Sequence, residues 1–291
     1  MKGFIDKAKI LIEAFPYIQK FQGKIVVIKF GGSALEEDIS KFHTVATDIA
    51  FMSCAGMRPV VVHGGGKAIS KRMKEAGIEP KFVKGLRVTC DKSIKIVERV
   101  LNREINPDIV HALQQAGGSA IGISGYDVIL AKKKTEVDPA TGEVIDLGFV
   151  GEPVKICLSK IIRLINKGMI PVISPLGKDR KGVLYNINAD ITAAFLAKNL
   201  KARKLVFMSD VPGILRDRKD MSSVISTIRI KEVTALIKSG IIDAGMLPKV
   251  LSGVDALSNG VEKVHIVNAD MPHSLLLEIF TDKGIGTEII K

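Results

Sequence analysis

A lysine closes an apolar, β-branched run at Ile25-Val26-Val27-Ile28-Lys29, and Phe30-Gly31-Gly32-Ser33 follows at once. Lysine is almost never buried without a partner, so its place in such a run asks for an anion. The glycines after it let the backbone turn sharply and come close to a ligand. A cation at a strand's carboxyl end, beside exposed amide groups, is suited to holding phosphate. The pattern recurs at Val60-Val61-Val62-His63-Gly64-Gly65-Gly66-Lys67, a second apolar run entering a second glycine turn. Two such turns in close succession point to an α/β protein that handles a phosphorylated ligand.

Strands and helices must carry those turns, and hydrophobic periodicity supplies them. Strands are expected at 24–30, 59–62, 120–124, 169–174, 183–187, 204–208 and 263–268. Helices are expected at 38–54, 159–167, 190–200, 231–239 and 248–259, with another on Ile69, Met73 and Ala76 ending at Gly77. Residues 91–116 read as one long helix or a bent pair around Pro107. Between 127 and 157 the runs shorten and alternate around Asp138-Pro139-Ala140-Thr141-Gly142, which predicts a β-hairpin or lid. Strands alternating with helices mean an open, mostly parallel central sheet covered on both faces, a three-layer αβα sandwich. Ligands then sit at the carboxyl ends of the strands, where both glycine turns lie. Ile5, Ala8, Ile12 and Phe15 give a separate leading helix, with a kink or break at Pro16. That helix packs on a partner subunit or caps its own domain.

The 291 residues allow one large domain or two fused lobes, and 46% hydrophobic with 25% charged residues is an ordinary globular composition. No apolar stretch approaches the roughly 20 residues that span a bilayer, and the start of the chain lacks a secretory signal pattern. Cys54, Cys90 and Cys157 are scattered and odd in number, without metal-ligand spacing, so a reducing cytoplasm is expected and no membrane role. The net charge of +12 fits a solvated basic surface or a basin for small anions. Without tryptophan or aromatic interleaving, nucleic acid is not an expected partner.

The phosphate chemistry is not that of a P-loop, because Ala68 follows Gly66-Lys67 and the upstream glycine is missing. The dinucleotide fingerprint is absent from both turns. The ordered segments Val27-Ile28-Lys29-Phe30-Gly31-Gly32-Ser33, Val62-His63-Gly64-Gly65-Gly66, Gly85-Leu86-Arg87-Val88-Thr89, Asn186-Ile187-Asn188-Ala189-Asp190, Ser209-Asp210-Val211-Pro212-Gly213 and Gly245-Met246-Leu247-Pro248-Lys249 resemble the amino-acid kinase family, and within it the acetylglutamate kinases. The resemblance covers residues 24–291 and implies the amino-acid kinase fold. It further implies a single kinase domain at 23–291, with an acyl amino acid lobe at about 23–180 and a nucleotide lobe at about 181–291.

The activity so implied is transfer of the ATP γ-phosphoryl group to the side-chain carboxylate of N-acetyl-L-glutamate, a step of arginine biosynthesis. Lys29 and Lys249 would stabilise the moving phosphoryl group, and Asp190 would hold their ammonium groups. Gly31, Gly32, Gly64 and Gly65 would supply backbone amides, with Gly64 and Gly65 also touching the substrate. Arg87 would clamp the α-carboxylate, and Asn186 or Asn188 would read the acetamido group. Asp210, Val211, Gly213, Ile214 and Leu215 resemble the adenine-nucleotide pocket. Mg²⁺ would be held mainly by the ATP phosphates, with no dedicated protein ligands. His63 is read as orienting the turn. The plain alternatives are a helix N-cap for Asp190, a solvated helix lysine for Lys249 and a surface ion pair for Arg87.

Residues 15–24 and the run from His265 through Glu278 to Thr287 resemble the arginine-inhibited, hexameric members of that group. The resemblance implies residues 1–22 as an oligomerisation helix joining a trimer of dimers. It also implies L-arginine as inhibitor in a pocket framed by Tyr17, His265, Glu278 and Gly284, and a nitrogen-signalling protein as a further partner. The alternative for that pocket is His265 on a core strand and Glu278 on a surface helix, doing nothing together. Two other functions compete: a kinase of the same fold acting on an acyl aminoadipate, and a non-catalytic arginine-responsive binding protein.

Overall fold

The first apolar run forms strand β1 (Ile25–Phe30), flanked by β2 (Arg58–His63) and β13 (Lys204–Ser209), both parallel to it. This is a computed structural model, which describes residues 2–31, 39–137, 141–243, 245–281 and 284–291. Val26, Val27, Ile28 and Phe30 are fully buried, as a strand covered on both faces requires. The sheet continues on one side through β10 (Ile170–Ile173) to β5 (Ala120–Ile123). On the other it continues through β15 (Lys263–Asn268) and β16 (Thr287–Ile290) to β14 (Thr227–Arg229). Of the eight strands, only β15 and β16 pair antiparallel.

Alternate residues of β1 point to opposite faces and join different cores. Val27 packs with Phe207 and Val250, beneath α7 (Ala189–Asn199) and α9 (Leu247–Ser258). Val26 and Ile28 pack with Phe42, Ile109 and Leu275 beneath α2 (Ile39–Cys54), α5 (Asn106–Gln115) and α10 (Ser274–Phe280). The three layers are those read from the sequence. Over residues 129–186 a second, four-stranded sheet forms, joining β6 (Ile129–Lys133) and β9 (Gly151–Ile156) with β11 (Leu176–Lys178) and β12 (Leu184–Asn186). The expected hairpin is present as β7 (Glu136–Val137) paired to β8 (Val144–Ile145), although Asp138, Pro139 and Ala140 lie outside the described residues.

One expectation about proline needs correction. Helix α1 (Lys2–Phe21) runs through Pro16 without a break, because proline removes one amide donor and leaves the bonds of the neighbouring turns in place. Residues 91–115 form one continuous helical run, the first of the two expected forms, with a change of helical type inside it. Helix α4 (Asp91–Arg99) passes into a π-helical segment, Val100–Ile105, and then into α5. The wider turn gives the Asn106 amide a bond to the Leu101 carbonyl, immediately before Pro107, which has no amide hydrogen to offer.

Candidate active site

At the carboxyl ends of β1 and β2, Lys29, Gly31 and Gly64–Gly66 line one side of a pocket of about 210 Å³. Arg87, Asn186, Asn188 and Asp190 line the other, drawn from β4 (Leu86–Arg87), β12 and the start of α7. Asp190 is the hinge of its charge. Lys29 Nζ lies 2.9 Å from Asp190 Oδ1, and Lys249 Nζ donates to Oδ2 at 2.9 Å. All three groups come from different elements. Burial alone would raise the Asp190 carboxyl; the two ammoniums outweigh it and hold it below its ordinary range. Burial lowers the pKa of Lys29, and Asp190 opposes that only in part. Lys249 stands in the first turn of α9, where the helix dipole disfavours a cation, so Asp190 supplies what the helix does not.

Asp190 is not the N-cap. That place belongs to Asn188, whose Oδ1 accepts from the Asp190 and Ile191 amides at 2.8 and 3.1 Å. The cap frees the Asp190 carboxylate to meet the lysines. Asn186 donates through Nδ2 to Thr89 Oγ1 at 3.2 Å, and the Thr89 hydroxyl donates to the Arg87 carbonyl at 2.8 Å. Arg87 is buried rather than a surface ion pair. One Nη donates to the Gly66 carbonyl at 2.6 Å and to Ser70 Oγ at 2.9 Å, and the guanidinium lies 4.6 Å from the Phe82 ring centroid. Desolvation lowers its pKa from the ordinary guanidinium value, without removing its charge near neutral pH.

The glycine turns differ from expectation in one respect. Gly64 does not offer its amide, because that N–H donates to the Phe30 carbonyl at 2.8 Å and extends the sheet. Gly65 is packed so closely that a Cβ would sit 2.6 Å from Ile105 Cδ1. Gly32 lies outside the described residues. The expected nucleotide segment follows β13 on the same edge of the sheet but does not line this pocket. Ile214 and Leu215 are buried in the core, and Gly213 is pressed against Thr287, whose hydroxyl accepts the Ile214 amide at 2.8 Å. Their side chains serve packing, which leaves Asp210, Val211 and backbone groups for any ligand.

The four residues of the second expected site come together in a larger cavity, about 580 Å³, at the opposite edge of the sheet. Tyr17, His265, Glu278 and Gly284 all line it. Glu278 is buried rather than on a surface helix face: His265 Nδ1 lies 2.6 Å from its Oε1 and Lys204 Nζ 3.6 Å away. Burial would raise the Glu278 carboxyl, but His265 and Lys204 hold it low, while burial lowers both His265 and Lys204. A Cβ on Gly284 would stand 2.9 Å from Glu278 Oε2. Lys204 escaped the sequence reading because it opens the apolar run Leu205-Val206-Phe207, whereas Lys29 closes one and is followed by a glycine turn. Thr89 and Asn106 also escaped it, since their partners are a backbone carbonyl and residues distant in the chain.

Comparison with known proteins bears on this geometry. The pattern of the amino acid kinase family matches residues 24–268. An acetylglutamate kinase of Heliobacterium modesticaldum is 49% identical over 99% of each chain. A solved N-acetylglutamate synthase of Neisseria gonorrhoeae, complexed with coenzyme A and N-acetyl-glutamate, superposes with a TM-score of 0.86 at 27% identity, over 98% of this chain and 63% of that one. The same synthase complexed with coenzyme A and L-arginine gives 0.82 at 26% identity, over 98% and 65%.

Proposed function

We propose, because the chain belongs to the amino acid kinase family, that its pocket transfers the γ-phosphoryl group of ATP to the side-chain carboxylate of N-acetyl-L-glutamate. The observation that carries this reading is the Lys29–Asp190–Lys249 constellation at the pocket's end. A glutamate side chain has an unperturbed pKa of about 4.3, so near pH 7 it is already a nucleophile and needs no base. The obstacle is electrostatic: a carboxylate must approach a polyphosphate, and charge builds on the phosphoryl group between them. Lys29 and Lys249 meet that charge, and Asp190 fixes their ammonium groups without taking a proton. Arg87 receives the α-carboxylate with the part of its fork that Gly66 and Ser70 leave open, and Asn186 or Asn188 reads the acetamido group. Mg²⁺ would travel on the ATP phosphates and water, since each Asp190 oxygen already meets an ammonium. The nucleotide would lie along Asp210 and Val211, in a lobe of about residues 181–291, with the acyl amino acid in the lobe before it.

The test is ADP release from ATP and Mg²⁺ with N-acetyl-L-glutamate, beside free glutamate, aspartate, N-acetyl-aminoadipate and UMP. Turnover confined to N-acetyl-L-glutamate is expected. Activity only with another acceptor would replace the substrate and keep the lysine–aspartate chemistry; none with any would sink the reading.

A second reading concerns the larger cavity, which is proposed as an L-arginine site that inhibits the enzyme. Glu278 offers a buried carboxylate to a guanidinium or α-ammonium group, and the structurally similar synthase is described in complex with L-arginine. Helix α1, which contributes Tyr17 and exposes Phe4, Leu11 and Ile12, would join dimers into a hexamer. A cytoplasmic location and a nitrogen-signalling partner belong to the same proposal.

A further inference from the structure

Behind the second glycine turn lies a polar network that the transfer chemistry above leaves unused. His63, the last residue of β2, is fully buried, and both ring nitrogens have partners. Nδ1 lies 3.1 Å from the Gly64 carbonyl oxygen, and Nε2 lies 3.0 Å from Asn106 Nδ2. The same Asn106 nitrogen is 3.0 Å from the Val172 carbonyl of β10. These contacts decide where the protons are. A carbonyl oxygen only accepts, so the end of the Asn106 amide that faces Val172 is its NH₂ group, and its second hydrogen points to His63. Nε2 is therefore the acceptor, the ring proton sits on Nδ1, and Nδ1 donates to Gly64. Burial lowers the His63 pKa to about 4, so the ring is neutral near pH 7.

The bond to Gly64 has a geometric consequence. In a trans peptide the carbonyl and the next amide hydrogen point in opposite directions. With the Gly64 carbonyl drawn towards the imidazole, the Gly65 N–H turns towards the pocket that both glycines line. The Gly64 N–H is already committed to Phe30, so Gly65 is the first donor this turn can give an anion.

The π-helical segment puts Asn106 in reach. One extra residue in a helical turn rotates everything after it by about 100° around the helix axis. The same segment presses on the turn through Ile105 and Leu101, whose methyl carbons would lie 2.6 and 2.9 Å from a Cβ on Gly65. Gly122, which has no Cβ, leaves room for Asn106 Oδ1 beside β5.

From this arrangement we infer that His63 and Asn106 are positioning residues for phosphoryl transfer. Asn106 fixes the imidazole as its Nδ1–H tautomer, and the imidazole holds the Gly64 carbonyl so that the Gly65 amide is aimed at the moving phosphoryl group. The aim at a phosphoryl group rests on the proposed kinase reading; the tautomer and the tether do not.

The test compares His63→Asn, His63→Gln and Asn106→Leu in the full chain. Asparagine places its amide nitrogen near the position of Nδ1 and can still donate to Gly64, whereas glutamine reproduces Nε2. With the tether at work, His63→Asn keeps kcat within about tenfold, and the other two lose roughly 100-fold, with both KM values within about threefold. Packing alone predicts the reverse order for His63, because glutamine fills the vacated space better than asparagine. Glutamine at or above asparagine, or an Asn106→Leu loss confined to KM, overturns the inference. Imidazole ¹⁵N shifts of the unmodified protein give a readout independent of turnover and of variant folding. A protonated Nδ1 and a bare Nε2 from about pH 5.5 to 8 are expected, and a proton on Nε2 overturns the assignment. If the unmodified protein phosphorylates a different acceptor, the kinase substrate falls, and the same ordering of variants is read with that acceptor.

Discussion

Asp190 touches both ammonium groups of the pocket, so its removal should cost the most. Asp190→Asn leaves Lys29 and Lys249 as like charges in a buried setting, and breaking a buried pair costs about 3–5 kcal/mol. A lowered urea midpoint and a kcat reduced at least ~100-fold are expected together. Lys29→Met leaves Asp190 its second partner, so most stability should survive while turnover falls by a similar factor. Near-normal initial rates in folded Lys29→Met would remove that lysine from the mechanism. His63 makes stability depend on pH, and His265, also lowered by burial, acts in the same direction. The folded pKa of His63 is about 4 against an ordinary 6.5, so between those values the unfolded chain binds the proton and the folded chain does not. Stability should therefore fall as pH drops from about 6.5 towards 4, and denaturation curves at about pH 7 and 5 should show a difference that His63→Asn reduces. Asp190 acts lower: its contribution is present above an unfolded pKa of 3.8 and is lost as pH falls through its depressed folded value. Lys29 was legible because it closes an apolar run whose burial conflicts with its charge, and Asp190 because the segment Asn186–Asp190 resembles a family motif. Asn106 was not, because its partner His63 is 43 residues away and becomes a neighbour only once β2 and α5 pack.

Elements were legible where periodicity was long. The buried strands β1, β2, β13 and β15, and helices α7 and α9, lie within a residue or two of their expected limits. Three of the short elements were missed: β11, β14 and β16 have three or four residues each, little for a period, and they form only against a neighbour. The π segment was invisible for a related reason, since one extra residue in a turn leaves the apolar spacing on each side intact. Helix α1 shows the other limit. Its spacing is amphipathic, yet Phe4, Ile10, Leu11 and Ile12 remain exposed, and among its described residues the helix reaches the core only at Phe21. Deleting residues 1–20 is therefore expected to abolish inhibition by L-arginine and reduce the assembly seen in sedimentation, while kcat for N-acetyl-L-glutamate changes little. Full inhibition of the shortened chain would sink the proposed role of α1.

Across the whole molecule, the small pocket and the large cavity occupy opposite edges of one sheet. Strand β13 runs from the large cavity, which Lys204 lines, to Ser209 at the sheet edge on which the small pocket opens, a span of about 17 Å at strand spacing. Along it β1 runs in register, Val26 beside Lys204 and Lys29 beside Phe207, and β2 and β10 continue the ladder without interruption. Such a ladder resists sliding, because every shift of one strand past the next breaks a row of hydrogen bonds. Lys204 and Lys29 thus stand on adjacent hydrogen-bonded strands, each lining its own cavity, so a slip of β13 against β1 by a single register would displace the wall of one cavity relative to the wall of the other.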